Sequence, residues 1–593
     1  MRVRCLLPAG LLACLLSQPL SAASGYLVHN LVADQTGVAD FTDPNLVNAW
    51  GIAISGTSPF WLCDAGTGLS TVYSAGASGF SVSATKAIIP PSANGANTAC
   101  TGIVFNSSTA FAVGTANPRP ASFIFSTEGG TISGWASAVD ATHAQMAVDN
   151  SASGAVYKGL AIVATGSSPQ LYAANFHSGT IDIFDGNYKP VSAPAAFTDP
   201  AIPAGFAPFN IQNLGGKLYV TYAKQDANKQ FDVPGAGNGY VDVFDTNGGL
   251  IQHLVAGGSL NSPWGIQIAP ANFGKYANAL LVGNFGDGLI NAFDPTSGMY
   301  LGTLADQDGN NIRINGLWGL QFGNGGNGGD VNALYFAAGP SSQKHGLFGS
   351  IQANPVISTA SIVSAGSPAA GIAPNTWVSI YGANLSTVTR PWTAADLGGG
   401  KLPTSLSGVA VSVNGTLAYL AYISPKQINF LTPAGMPTGS TVEVLVSNGP
   451  LNSASTDVQT QAVGPSFLLL GGKYVAALHS DNKTVVGPTT LVANNSKPAQ
   501  PGETIVMFGT GFGATNPPIP DGQVVTTAAP LVATPTVSIG GAKASVVYAG
   551  LTATGVYQFN VVVPSSSADG DLPVTISIGG VTSPDGTFIT VQH

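Results

Sequence analysis

Short runs in which apolar and polar positions alternate recur at even intervals along the first 350 residues of the chain: "AWGIAI", "CTGIVF", "YKGLAI", "PFNIQ", "PWGIQI" and "LWGLQF". Alternation with a period of two, bounded by Gly, Pro, Asn and Asp, predicts strands. Aligned on Gly51, Gly102, Gly159, Asn210, Gly265 and Gly319, the runs lie 51, 57, 51, 55 and 54 residues apart. A second run follows in most units ("FWLCDAGTG", "LYAANFHSG", "LLVGNFGDG"), then a third ("TIDIFD", "YVDVFD", "LINAFD"). Each unit therefore holds three recognisable strands and room for a fourth, and six units of this length predict a six-bladed β-propeller over residues 24–354.

The last unit stops near Gln352 and is short of one strand. Tyr26 to Gln35, "YLVHNLVADQ", resembles the outer strands of complete units and is expected to supply it, closing the ring and removing an exposed edge. The tetrapeptide Phe-Thr-Asp-Pro occurs at Phe41 and again at Phe197. Both copies are expected to follow an outer strand and lead into the next blade, where Asp-Pro suits a turn.

Beyond Asn354 a different duplication begins. "IAPNTWVSIYGANLS" matches "AQPGETIVMFGTGFG", and the segment from Gly408 to Pro433 matches that from Pro535 to Pro564. Short strands between Gly/Pro turns predict two β-sandwich domains, over 355–463 and 464–593, making the whole chain all-β.

Composition agrees with that class: 8% of residues are charged, with 76 Gly and 40 Pro. The net charge of -9, without a Lys/Arg cluster, argues against a nucleic-acid partner. Arg2 and Arg4 precede an apolar run, Leu6 to Leu16, and small residues follow, the pattern of a signal peptide over 1–23. A secreted or periplasmic protein is expected, with lipid anchoring through Cys14 as the less favoured reading. No later run is long enough to span a bilayer, so no transmembrane partner segment is expected. Removal of the signal would leave Cys63 and Cys100, which in an oxidising compartment suggests one disulfide; two separate buried thiols are the alternative.

"NSPWGIQI…LLVGNFGDGLINAFD" resembles an NHL-type repeat. More closely, "FTDPNLVNAWGIA", "STEGGTISGW", "LYAANFHSGTIDIFD", "GNGYVDVFD" and "HGLFGSI", in this order, resemble an uncharacterised family of secreted bacterial six-bladed propellers, over Tyr26 to Gln352. That family implies a fold and a location, but no activity. The C-terminal half resembles the Ig-like module abundant in acidobacterial secreted proteins, close to IPT/TIG sandwiches.

The sequence contains no His-Glu-x-x-His, Cys-x-x-Cys, phosphate loop or Gly-x-Ser-x-Gly elbow, and its histidines are scattered without ligand spacing. Asp64, Glu128, Asn175 and Asn284 fall at the end of the second strand of four units. Four oxygen donors converging on a channel mouth would suit Ca²⁺, as in gluconolactonase-like propellers, to which the set is similar in type. Capping of local turns is the competing and stronger reading. Trp50, Trp264 and Trp318 recur at one blade position and could offer, with His177, a stacking platform for a ligand; packing between blades is the competing and stronger reading. The reading that follows is a non-catalytic binding or scaffold protein for an extracellular ligand, with a carbohydrate or cell-surface polymer as the candidate class. A Ca²⁺-dependent, lactonase-like hydrolase or lyase with Glu128 or His177 as acid/base is the alternative.

Overall fold

A computed structural model of the chain describes residues 25–76, 79–93, 95, 98–164, 168–193, 195–366 and 371–593. The expected signal sequence and Cys14 lie outside these residues.

Among the described residues, one two-stranded ladder and six sheets of three to five strands, antiparallel except where Tyr26–Ala33 meets Phe41–Thr42, occupy the N-terminal half. Their first strands are Ala49–Ala53, Cys100–Phe105, Tyr157–Val163, Phe206–Leu214, Pro263–Ile268 and Leu317–Phe322, and each contacts the next in cyclic order, the sixth touching the first. The repeated glycine explains how the inner strands come so close. A Cβ on Gly51 would stand 2.5 Å from Thr101 O, one on Gly265 2.6 Å from Trp318 O, and one on Gly319 2.5 Å from Trp50 O. Where Asn210 replaces glycine, its amide instead donates across the seam to Trp264 O at 2.8 Å.

The ring closes as expected. Tyr26–Ala33 pairs antiparallel with Leu347–Ala353, from Tyr26 opposite Ala353 to Ala33 opposite Leu347, as the fourth strand of the sixth sheet. The Tyr26 hydroxyl donates to Phe273 O at 3.0 Å, which also ties this strand to the fifth sheet's loop. One expectation fails. Among the described residues the third sheet has three strands, ending at Thr180–Asp185, so the second Phe-Thr-Asp-Pro does not follow an outer strand. Phe197 instead packs on Tyr172 and Phe244, and its amide donates to Gly248 O, so the segment crosses to the fourth sheet. At the fourth-strand position, only a short bridge among the described residues, Phe184 opposite Pro190, joins the third sheet before the chain leaves it.

Cys63 and Cys100 form a disulfide, with Cα atoms 5.1 Å apart, joining the first sheet to the inner strand of the second. The two-thiol alternative is therefore set aside.

The C-terminal half has two hydrophobic cores, one around Val378, Val411, Phe430 and Val444, the other around Ile505, Val537, Phe559 and Ile576. The duplication is visible in the pairing. Trp377–Tyr381 pairs with Gln427–Leu431, and Thr504–Thr510 pairs with Val556–Val562 in the same antiparallel sense. The Trp377 indole donates to Thr554 O at 2.8 Å, linking the two copies.

Candidate functional site

The ring axis has two ends of different chemistry. At one, the residues just before the aligned glycine or asparagine include Trp50, Phe209, Trp264 and Trp318, which share one buried cluster, and Lys158, whose ammonium lies over Trp50, while the Thr101 hydroxyl is bonded to Tyr157 O. Trp50 and Trp318 stack at 3.7 Å, Phe285 covers the other side of Trp318 at 3.9 Å, and Trp264 meets both indoles edge-on. The three indoles are 1%, 5% and 1% exposed. The expected stacking platform is therefore corrected: the ring faces are occupied by one another, which is the packing arrangement. His177 is half-buried in the turn after Gln170–Asn175, and it is the neighbouring Phe176 that joins the axial cluster.

All four residues have local partners, although Asp64 Oδ1 is buried without a hydrogen bond of its own. Asp64, fully buried, accepts from the Thr71 amide at 3.0 Å. Burial, followed by the nearby charge of Asp43, holds its carboxyl well above the usual range, against the pull of Thr71. Asn175 accepts from the Val156 amide at 3.2 Å and donates to Asp182 at 3.0 Å. Asn284 accepts from the Asn261 amide at 3.1 Å and donates to Ser259 O at 2.8 Å. Glu128 forms an ion pair with Lys158. Three of the four thus act as turn and loop caps, and the fourth already has a cation. This is not the arrangement of a shared Ca²⁺ shell, in which six to eight oxygens face one ion.

Lys158 is the feature that motif reading passed over. Its side chain is 2% exposed, and its ammonium lies 5.4 Å from the Trp50 ring centre, 5.9 Å from Phe176 and 5.2 Å from Phe231. Phe231, 53% exposed, sits on the long loop after Lys217–Lys224. That loop is held by Gln225 donating to Phe176 O and by Asp226 accepting from the Gln230 and Phe231 amides. Next to it, burial raises the Asp232 carboxyl, while Ser262 and Lys158 pull it down. A signal was present: in "YKGLAI" a lysine stands where three other units have tryptophan.

At the other end, the inner strands surround a cavity of about 350 Å³. Its polar side chains are the amides of Asn210, Gln212, Asn213 and Gln321, set among Ile54, Phe105 and Ile162 and the strand backbones. No Asp, Glu, His, Lys, Cys, Ser or Thr is among its lining residues. Elsewhere the histidines have ordinary partners: His29, His143, His345, His479 and His593 each face one carboxylate. Among the described residues, no helix is long and apolar enough to cross a membrane.

The IPT/TIG domain family matches residues 360–461. Propeller-like solved structures match somewhat more than half of the chain at low similarity. A streptogramin B lyase is 11% identical over 56% of this chain and 97% of its own, with a TM-score of 0.31; a glucose dehydrogenase is 12% identical over 55% and 98%, with a TM-score of 0.33. Among curated proteins, "Uncharacterized protein R648" of Acanthamoeba polyphaga mimivirus is 34% identical over 348 residues, 57% of this chain and 83% of that protein. "Uncharacterized protein L690" of the same virus is 33% identical over 57% of this chain and 89% of its own length. These relatives are viral, where the motif resemblance pointed to bacterial proteins. By identity and coverage together, the chain belongs to the family of these uncharacterized mimivirus proteins.

Proposed function

We propose that the chain is a secreted, non-catalytic binding or scaffold protein. In this reading the ring is a six-bladed propeller whose axial cavity takes a neutral polar ligand, in the carbohydrate or cell-surface polymer class. The C-terminal half forms two Ig-like, IPT/TIG-like sandwiches that serve as spacers or attachment modules. The observation that carries the reading is the cavity lining. At about 350 Å³ it falls within the usual range for small-molecule sites, and the amides of Gln212 and Gln321 can orient hydroxyl groups, those of Asn210 and Asn213 being engaged with Trp264 O and Ile162 O. Catalysis needs a positioned acid, base or nucleophile, and the lining has none. The Ca²⁺-dependent hydrolase or lyase finds little support, because Glu128 is paired with Lys158 and the other three oxygen donors cap local backbone. Secretion is supported by the N-terminal Arg-then-apolar pattern and by the disulfide.

Calorimetry of the chain lacking residues 1–23 against a panel of neutral di- to hexasaccharides tests the proposal. Binding should appear for at least one sugar and weaken roughly tenfold in Gln212→Ala or Gln321→Ala, a loss of about 1.4 kcal/mol. Calcium-dependent, EDTA-sensitive turnover of a lactone or ester by the same protein would replace it with the enzyme reading.

A further inference from the structure

The second Phe-Thr-Asp-Pro brings Asp199 onto the outer hairpin of the fourth sheet. There Asp242, in Tyr240–Phe244, lies directly opposite His253, in Leu250–Ala256. His253 Nδ1 is 2.7 Å from Asp199 Oδ2 and 2.8 Å from Asp242 Oδ1. One imidazole nitrogen carries at most one proton, so it cannot give full hydrogen bonds to two carboxylates at these distances. The three donor atoms all lie within 4.8 Å of one another. The Asp199 and Asp242 side chains are 3% and 0% exposed, whereas His253 is 28% exposed and leaves a path to solvent.

Two further polar atoms are buried at Asp242. Asp242 Oδ2 and the hydroxyl of Tyr222, which is 4% exposed, make no hydrogen bond of good geometry, although the hydroxyl stands beside the Asp242 carboxylate and interacts with it. Unsatisfied polar atoms at such depth are costly and call for an explanation, an ion being one. The other sheets act as internal controls. At the position of Asp242 the third sheet has Asp182, whose carboxylate is satisfied by Tyr157 and Asn175 at 2.9 and 3.0 Å. The fifth has uncharged Asn291, bonded to Thr303 and Ser259. In the first Phe-Thr-Asp-Pro, Asp43 has neutral partners at both oxygens: it accepts from the Tyr73 hydroxyl at 2.9 Å and from the Asn45 backbone and side-chain amides at 3.0 and 2.7 Å. Of these places, the fourth sheet alone brings together two buried carboxylates and an imidazole.

The geometry points to a divalent first-row metal ion, of the Mn²⁺ or Zn²⁺ class, bound by Asp199, Asp242 and His253. A mixed carboxylate and imidazole set suits these ions better than Ca²⁺, which prefers oxygen alone. The ion would clamp the connection between the third and fourth sheets to the outer hairpin, in the place of the fourth strand that the third sheet lacks. This site is separate from the axial cavity, and its test does not depend on any ligand there.

Tag-free protein stripped with EDTA and desalted is titrated with MnCl₂ or ZnCl₂ by calorimetry, and Mn²⁺ uptake is followed by loss of the free-ion electron paramagnetic resonance signal. One ion per chain should bind and raise the melting temperature. Asp199→Asn and His253→Gln should each weaken binding at least tenfold with an unchanged far-UV spectrum. Asp199→Asn keeps side-chain size and lies in a connection, so it remains informative if a strand variant fails to fold. Absence of uptake by the wild type at about 1 mM metal, a concentration that would reveal even a millimolar site, overturns the proposal. Uptake unchanged in Asp199→Asn does so as well, since the ion is then held elsewhere.

Discussion

Removing the Glu128 charge while leaving Lys158 in place should destabilise the ring strongly. The Lys158 side chain is 2% exposed, and its ammonium is surrounded by Glu128 and by the faces of Trp50, Phe176 and Phe231. Breaking a buried pair by deleting one partner typically costs about 3–5 kcal/mol, because the other charge stays buried without compensation. Aromatic faces recover part of this, at about 0.5–2 kcal/mol. Asp232, which interacts electrostatically with Lys158, recovers more. Glu128→Gln should therefore fall near the low end, about 3 kcal/mol, or roughly 6 °C in melting temperature at about 2 °C per kcal/mol. Glu128→Gln with Lys158→Met removes both charges and should return to within about 1 kcal/mol of the wild type, since apolar replacements of buried pairs are often neutral. Urea unfolding followed by tryptophan fluorescence reads this directly, as Trp50 and Trp318 stack beside the ammonium. A loss under about 1 kcal/mol in the single variant, or a double variant as unstable as the sum of the singles, would refute the account of a desolvated pair.

Other perturbations have equally definite outcomes. Replacing Cys63 and Cys100 by Ala releases a closure 37 residues apart in sequence and should cost about 4 kcal/mol on the loop-entropy account, measured by urea unfolding of the double variant; a wild-type midpoint would contradict it. Asp64→Asn should stabilise at neutral pH: burial raises the folded carboxyl, so the protein loses stability as pH rises past about 4, and the amide removes that loss while still accepting from Thr71. Melting curves from pH 4 to 8 should converge at the acid end, whereas destabilisation by Asn that appears only with added calcium would restore the metal reading. Deleting residues up to Ala33 exposes the edge of Leu347–Ala353 and should lower the melting temperature and promote aggregation, detectable by light scattering; an unchanged melt would count against ring closure by this strand.

The sequence by itself carried the repeat: strand periodicity, six aligned Gly/Asn positions, the closing strand from Tyr26 and the internal duplication after Asn354 can all be read along the chain. They are legible because alternation, turn residues and repeat spacing are local properties, and each strand obeys them without reference to distant residues. The chemistry was less legible. Side chains that meet on the axis come from units about fifty residues apart in sequence, and only the angle between sheets decides whether two indoles present their faces to a ligand or to each other. The same holds for Lys158, whose partner Glu128 comes from the neighbouring unit, and for Asp199, which crosses to His253 only because the third sheet stops at three strands. A single residue type at a repeat position names a location, while burial, partner and charge state are set by what the other units place beside it. Tertiary structure therefore decided between readings that the sequence left open, for turn caps and an ion pair over a metal shell and for a core over a platform, and it gathered Asp199, Asp242 and His253 into one cluster.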